Sequence, residues 1–271
     1  MMFRNGLRLA RRALAAALCT VLSGAAAAQE APQEIGCPGL VAAHPPRVIL
    51  AALGKDEVGL TFVGHATFLV ESPGGVRIAT DYNDYVRPSV VPDVATMNKA
   101  HSTHYSNRPD PGIRHVLRGW DPRGGGVRHD LQVGDVRVRN VSTNIRGWSG
   151  DTEYDGNSIF VFETAELCIA HLGHLHHTLE PSHLRKLGRI DVLLVPVDGG
   201  YTLDTDGMIE VMAAIGAPLM VPMHYFNRGT LERFLAKARA RWPVEFSDTA
   251  AITLSRARLP GSPKVLVLPG R

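Results

Sequence analysis

Cysteine is scarce in this chain of 271 residues. There are three, Cys19, Cys37 and Cys168, and their spacing matches no thiolate metal motif. No internal repeat, low-complexity tract or clear linker is visible, which leaves out solenoid and array architectures. A general excess of positive charge is missing too. The formal charge is +3, but Arg4, Arg8, Arg11 and Arg12 fall in the first 28 residues, which hold no acid, so +3 − 4 leaves −1 for the rest. A basic footprint for nucleic acid is therefore absent. What remains, at 45% hydrophobic and 20% charged residues, is the composition of an ordinary soluble globular protein. The length allows one large domain with a substantial core.

The first segment, "MMFRNGLRLARRALAAALCTVLSGAAAAQE", has a basic start, an apolar run from Ala13 to Leu22, and small residues ending at Ala28. This is the layout of a secretory signal peptide over residues 1–28, cleaved after Ala26-Ala27-Ala28. The apolar run is too short to span a bilayer, so no stable membrane anchor is expected after cleavage. The product reads as secreted, and as periplasmic if the cell is Gram-negative. In that compartment Cys37 and Cys168 could pair or stay free thiols; the sequence leaves both open.

Residues 29–55 read as an irregular arm rich in Pro and Ala, and 56–271 as one domain. "GLTFVGHATFLVES" is an alternating apolar run read as a strand, followed by a turn at Ser72-Pro73-Gly74-Gly75 and a return strand, "VRIATD". "VATMN", "DVRVRNVS" and "SIFVFETAELCIAHLG" supply further strands. Later, "EPSHLRKL", "TDGMIEVMAAIG" and "GTLERFLAKARARW" read as helices, alternating with the apolar strands "IDVLLVPV" and "PLMVPMH". Strand pairs first and strand–helix alternation later suggest two sheets with helices outside.

The chemistry concentrates in histidine. "TMNKAHSTHYSN", residues 96–107, holds His101 and His104, but two histidines in a loop do not by themselves distinguish a metal site from a polar loop. "VGHATFLVESPGGVRIATDYND", "CIAHLGHLHHTLEPSHLRKLGRIDVLLVPVDGGYTLD" and "APLMVPMHY" supply the context. Together, over about residues 57–228, these segments resemble the metallo-β-lactamase superfamily, in particular its ascorbate-6-phosphate lactonase-like branch. The resemblance implies an α+β fold, an αββα four-layer sandwich, with metal held by loops at one edge of the two sheets. It also implies hydrolysis.

The family's opening loop reads Ser/Thr-His-x-His-x-Asp-His. Against it, "NKAHSTH" keeps His101 and His104, replaces the first His by Lys99, and replaces the Asp by Thr103. An ammonium has no lone pair for a metal, so Lys99 is expected to supply fixed positive charge instead. Asn144 or Ile145 stands where the family has a third His. His174 stands where it has a bridging Asp, and His224 matches the His of the last motif directly. The implied metal ligands are His101, His104, His174 and His224. Such a set suits one Zn²⁺, with Mn²⁺ and Fe²⁺ as other ions, whereas two metals would need the missing carboxylate.

Asp81 matches a family Asp that orients ligands. His177 is the better candidate than His176 to contact substrate or metal, with His176 pointing away. With Thr103 in place of the family's proton-handling Asp, His177 or Asp81 would have to take the catalytic proton. His65 and His171 read as structural strand histidines, and Tyr201 as a residue shaping the cleft or packing a turn.

The function this implies is an exported, metal-dependent hydrolase. It would cleave an ester, lactone, amide or phosphoester of a small-molecule substrate through a metal-bound hydroxide. Two other classes remain open: a catalytically degenerate binding protein on the same fold, and a protein that sequesters metal.

Overall fold

The structure, a computed structural model, describes residues 53–147 and 149–270. The leader expected over residues 1–28, all but the end of the arm over 29–55, and Cys37 lie outside the described residues. Five strands come first: β1 (Val58–Gly64), β2 (Thr67–Glu71), β3 (Arg77–Ala79), β4 (Val94–Met97) and β5 (His115–Arg118). Next come β6 (Asp130–Val133), β7 (Val136–Arg146), β8 (Thr152–Thr164) and β9 (Leu167–His171). Helices then alternate with strands: α1 (Pro181–Leu187), β10 (Val192–Pro196), α2 (Thr205–Ile215), β11 (Leu219–Met223) and α3 (Arg228–Ala238). The last strands are β12 (Val244–Phe246), β13 (Ala251–Leu254) and β14 (Lys264–Val267).

The strands form two sheets, in the orders β13-β1-β2-β3-β4-β5 and β12-β14-β11-β10-β9-β8-β7-β6. This is the α+β sandwich that the sequence led us to expect. Pleating sorts each strand's side chains between layers. Ile78 and Val94 join Phe62, Phe68, Phe160, Phe162, Leu194 and Val221 in the core between the sheets. Their neighbours Ala79, Ala95 and Met97 face the other way, under Tyr82, Ile113 and Trp120. Among the described residues, the three α-helices all cover the eight-stranded sheet: Leu187, Met208, Met212, Leu231, Phe234 and Leu235 pack on Leu193, Val195 and Met220. Covered on both faces, β10 and β11 are buried at every position, as parallel strands in a layered fold should be.

Local chemistry sets the helix limits. Asp204 caps α2 by accepting from the N–H groups of Asp206 and Gly207, and Gly216 ends it in the left-handed conformation. Asn227 caps α3 by accepting from Thr230 N–H. Pro181 opens α1 at a position where its missing N–H costs nothing.

One expectation needs correction. "GLTFVGHATFLVES" is two strands rather than one, because the chain reverses at Gly64–His65, with φ of 141° and 52°, and β1 pairs antiparallel with β2. The alternating apolar pattern runs through the turn unchanged, so periodicity does not reveal it. The C-terminal strands also carry no strong pattern, yet β13 extends one sheet beside β1 and β14 the other beside β11.

The topology gathers loops at one edge. β3 and β4 run parallel, as do β9, β10 and β11. Asp81, His101 and His104 follow β3 and β4; His174, Asp198 and His224 follow β9, β10 and β11. The carboxyl ends of parallel strands are where open sheets place ligands.

Candidate metal centre

After β4, the loop folds on itself: His104 N–H donates to the His101 carbonyl (2.9 Å), and Asn98 N–H donates to the His104 carbonyl (3.0 Å). That turn brings the two imidazoles together, with ring centroids 4.5 Å apart. His174 and His224 complete a cluster whose ligand nitrogens all lie within 4.8 Å of one another. His104, His174 and His224 are buried, and His101 is half-buried toward solvent.

Buried side chains behind the rings fix their orientation. His104 Nδ1–H donates to Asp81 Oδ2 (2.5 Å), and Asn98 Nδ2 donates to Asp81 Oδ1 (2.9 Å). His224 Nδ1–H donates to Asp198 Oδ1 (3.0 Å). Asp198 also accepts from the backbone N–H groups of Gly200 (2.9 Å) and Tyr201 (2.5 Å) and from the Thr202 hydroxyl (2.5 Å). With both Nδ1 atoms protonated, His104 and His224 present Nε2 lone pairs to each other at 3.0 Å. In these tautomers no proton lies between the two nitrogens to make that approach favourable. A cation would, so the donor set fits a divalent metal.

His101 and His174 have different supports. Arg146 backbone N–H donates to His176 Nδ1 (2.6 Å), so the His176 proton sits on Nε2, which meets His174 Nδ1 at 2.5 Å. Neutral His174 then carries its own proton on Nε2, 2.9 Å from His101 Nε2. His101 Nδ1–H donates to the Thr103 hydroxyl (2.7 Å), which donates in turn to His65 Nε2 (2.9 Å). This half is a head-to-tail hydrogen-bonded run.

Burial, then repulsion from neighbouring rings, favours the neutral form of His101, His104 and His174. His104 and His174 lie well below the usual histidine range, and His101 is lowered too. His65 is pushed down to about 3 by burial and the nearby His224, and His176 to about 4 by burial and Arg146. Burial raises Asp81 to about 6. Burial alone would raise Asp198 as well, but the bonds from His224 and Thr202 outweigh it and hold the carboxyl well below the usual range. Neutral imidazole is the form that ligates metal. Three residues here, His65, Asp81 and His224, adopt left-handed φ of 52°, 41° and 55°, a backbone strain that clusters at functional sites.

The four residues read as ligands come together. The two read as catalytic are held by other partners. Asp81 is fully buried behind His104, where it orients rather than reacts. His177 has both nitrogens committed to backbone: Nδ1–H donates to the Thr178 carbonyl (2.7 Å), and Nε2 accepts from Asn144 N–H (3.1 Å). His176, expected to point away, touches His174 instead. The order His174-Leu175-His176-His177 lets the chain alternate, so the residue two along shares His174's side. His65, expected in the core, sits at the rim because of the turn that splits β1 from β2. Lys99 is ion-paired with Glu153 on the surface, so its charge is compensated away from the cluster. Tyr201 is exposed, 6.4 Å from the His101 ring. His171 is buried, its Nε2–H donating to the Ala66 carbonyl (2.8 Å), in keeping with a structural role.

Sequence reasoning missed Asp198, whose only local signal was "VDGG", an acid at the end of a buried strand before a turn. It also missed Asn98 and Asn157. Asn157 Oδ1 accepts from His174 N–H (2.8 Å), and Asn98 ties Asp81 to Ser158 N–H (2.8 Å) on the other sheet.

Residues 59–224 match the model of the beta-lactamase superfamily domain. A UPF0173 metal-dependent hydrolase of Methanosphaerula palustris is 26% identical over 192 residues, covering 64% of this chain and 86% of that protein. A crystal structure of a proposed Zn-dependent hydrolase of the metallo-beta-lactamase superfamily from Thermotoga maritima is 29% identical. It superposes with a TM-score of 0.58 over 79% of this chain and 100% of that one. A proposed metal-dependent hydrolase from Parabacteroides distasonis, 12% identical, shares the fold, with a TM-score of 0.57 over 79% of this chain and 94% of that one.

Proposed function

Because the chain belongs to the beta-lactamase superfamily, its domain model covering residues 59–224, we propose that it is a metal-dependent hydrolase with one divalent ion, zinc, per chain. The observation that carries the reading is the His104–His224 pair. Two buried carboxylates fix both tautomers, so two lone pairs converge at 3.0 Å. His101 and His174 complete the donor set. Imidazole suits zinc. The carboxylates stand behind the rings rather than between ion sites, which supports one ion and not a bridged pair.

A bound divalent ion supplies Lewis acidity for a water and for the scissile carbonyl or phosphoryl group. The chain's own residues hold that reaction in place. Asp81 and Asp198 fix His104 and His224, Thr103 and His176 fix His101 and His174, and the half-buried His101 leaves the cluster open to a small-molecule ester, lactone, amide or phosphoester. We read the protein as exported, its mature chain starting near Gln29.

Elemental analysis of the purified protein, together with turnover of a panel of nitrophenyl esters and lactones, tests the reading. One zinc per chain and turnover are expected, both lost in His224→Ala, whose zinc affinity should fall by well over ~10-fold, at least ~1.4 kcal/mol. Its stability loss should be larger in zinc than in chelator, since only the bound state gains from the site. Two tightly held ions, no ion, or equal stability losses in zinc and chelator would each count against it.

A further inference from the structure

Next to the cluster, and touching it through His176, is a cavity of about 260 Å³ lined by Asn144, Arg146, Asp151, Thr152, His176 and His177 among others. Arg146 is the one Lys or Arg among its described lining residues. Among the described residues Arg146 has no carboxylate partner; its one side-chain bond is a long one, Nη1–H to the Gly200 carbonyl at 3.4 Å. Asp151 on the same wall accepts from the Ser149 hydroxyl (2.5 Å) and makes no ion pair with Arg146.

The carbonyl that Arg146 touches belongs to the residue before Tyr201. Tyr201 and Phe226 are 66% and 53% exposed and pack edge to face, with centroids 5.4 Å apart. Phe226 lies 5.5 Å from the His224 ring and Tyr201 6.4 Å from the His101 ring. Large aromatics left open to solvent beside a polar cluster mark a place where apolar ligand surface can be covered. The histidines are thus bordered by an uncommitted guanidinium and, next to the carbonyl it touches, by two exposed aromatic rings.

We propose that the substrate is an organic anion with an apolar arm. Arg146 holds its carboxylate or phosphate, Tyr201 and Phe226 cover the arm, and the scissile group lies at the histidines. This rests on the hydrolase reading. Water is the co-reactant: its oxygen bonds to the acyl or phosphoryl centre, that centre's bond to the leaving oxygen or nitrogen breaks, and the leaving atom takes a proton. A guanidinium suits the anion because its planar fork pairs with two oxygens at once.

The test separates recognition from turnover. Binding of 3-phenylpropionate, 3-phenylpropyl phosphate and neutral 3-phenylpropan-1-ol to the purified full-length protein is measured by calorimetry, alongside Arg146→Gln, Arg146→Lys and Tyr201→Ala. At least one anion should bind about tenfold more tightly than the alcohol, and Arg146→Gln should bring it down to the alcohol's level while Arg146→Lys keeps part of the gain. Whichever anion depends on Arg146 identifies the group. Tyr201→Ala should weaken acids and alcohol alike. In parallel, the charged ester mono(4-nitrophenyl) glutarate should be cleaved with higher kcat/KM than neutral 4-nitrophenyl valerate, a preference erased in Arg146→Gln. Anion binding unchanged by Arg146→Gln overturns the proposal, including the case where the metal alone holds the anion. Arg146-dependent binding without any ester turnover would instead remove the hydrolase reading and leave the recognition site standing.

Discussion

The two halves of the histidine cluster are built differently. His104 and His224 are each backed by a buried aspartate, and each presents its Nε2 lone pair to the cluster when the ring is neutral. His101 and His174 are backed by a hydroxyl and by another imidazole, and they hold a proton between their Nε2 atoms at 2.9 Å. A carboxylate fixes a tautomer because it can only accept. A hydroxyl or an imidazole can do either, so its order depends on the next partner along the run. The first pair is committed to metal by its surroundings, while in the second His174 must move its proton from Nε2 to Nδ1 to join it.

A change that strikes both halves alike gives the baseline. Gly173 has φ of 62°, and a Cβ there would lie 2.4 Å from both Asn157 and Asn98, the residues that anchor His174 and Asp81. Gly173→Ala should cost about 3 kcal/mol, from the unfavourable φ and the clash together. Thermal unfolding in chelator would check it, and wild-type-like stability would mean that the loops are not tied as described.

The comparison itself is broken or kept by the supports. Asp198→Asn or Asp81→Asn should lower zinc affinity about 10- to 100-fold, because the amide can donate to Nδ1 and turn the lone pair inward. Thr103→Val should cost less than either, since its half is not held by a charge. Competition titration with a chromogenic chelator measures all three. Equal losses would erase the distinction between the halves.

Acidity sharpens it further. His65, at about 3, and His176, at about 4, resist protonation when folded, against 6.5 when unfolded, and His101, His104 and His174 are lowered as well. Between those values the unfolded chain holds more protons, so their contribution is complete above pH 6.5 and is lost as pH falls toward 4. Asp81, raised to about 6, works in the opposite sense below that pH, but it is one group against several. Stability of the chelator-treated protein should therefore fall between pH 7.5 and pH 5. His176→Ala should flatten that profile, and a flat wild-type profile would show that the run is not neutral as drawn.

The smallest effect is a change of tautomer. If His174 joins the metal as a neutral ligand, its proton must move from Nε2 to Nδ1, where the His176 Nε2–H now stands, so zinc binding has to break that bond. His176→Ala leaves His174 Nδ1 free to carry the proton and should raise zinc affinity slightly in the same competition titration. Weaker binding in His176→Ala would show that the run does not hold the proton on the metal-facing nitrogen.

Much of this was legible in the chain. The apolar strands and the helix segments pointed to two sheets with helices outside, and the resemblance to the metallo-β-lactamase superfamily pointed to His101, His104, His174 and His224 at their edge. Local sequence was enough for the elements because pleat, cap and turn chemistry act over a few residues. It misled where a pattern survived a reversal, as at His65, and where neighbours competed, as with His176 and His177: both side chains are equally polar, and only the direction of the loop after β9 decides which one faces His174.

The sequence by itself thus determined the supply of donors and the elements that carry them. Which donor is held, and in which tautomer, was decided only by tertiary structure. His104 meets His224 from 120 positions away, His101 meets His174 from 73, and His224 takes its proton's partner, Asp198, from 26. Hydrogen bonds reach about 3 Å and carry no trace of sequence distance. The tautomers therefore became fixed only when two sheets, closed over one core, brought the ends of five parallel strands to the same edge.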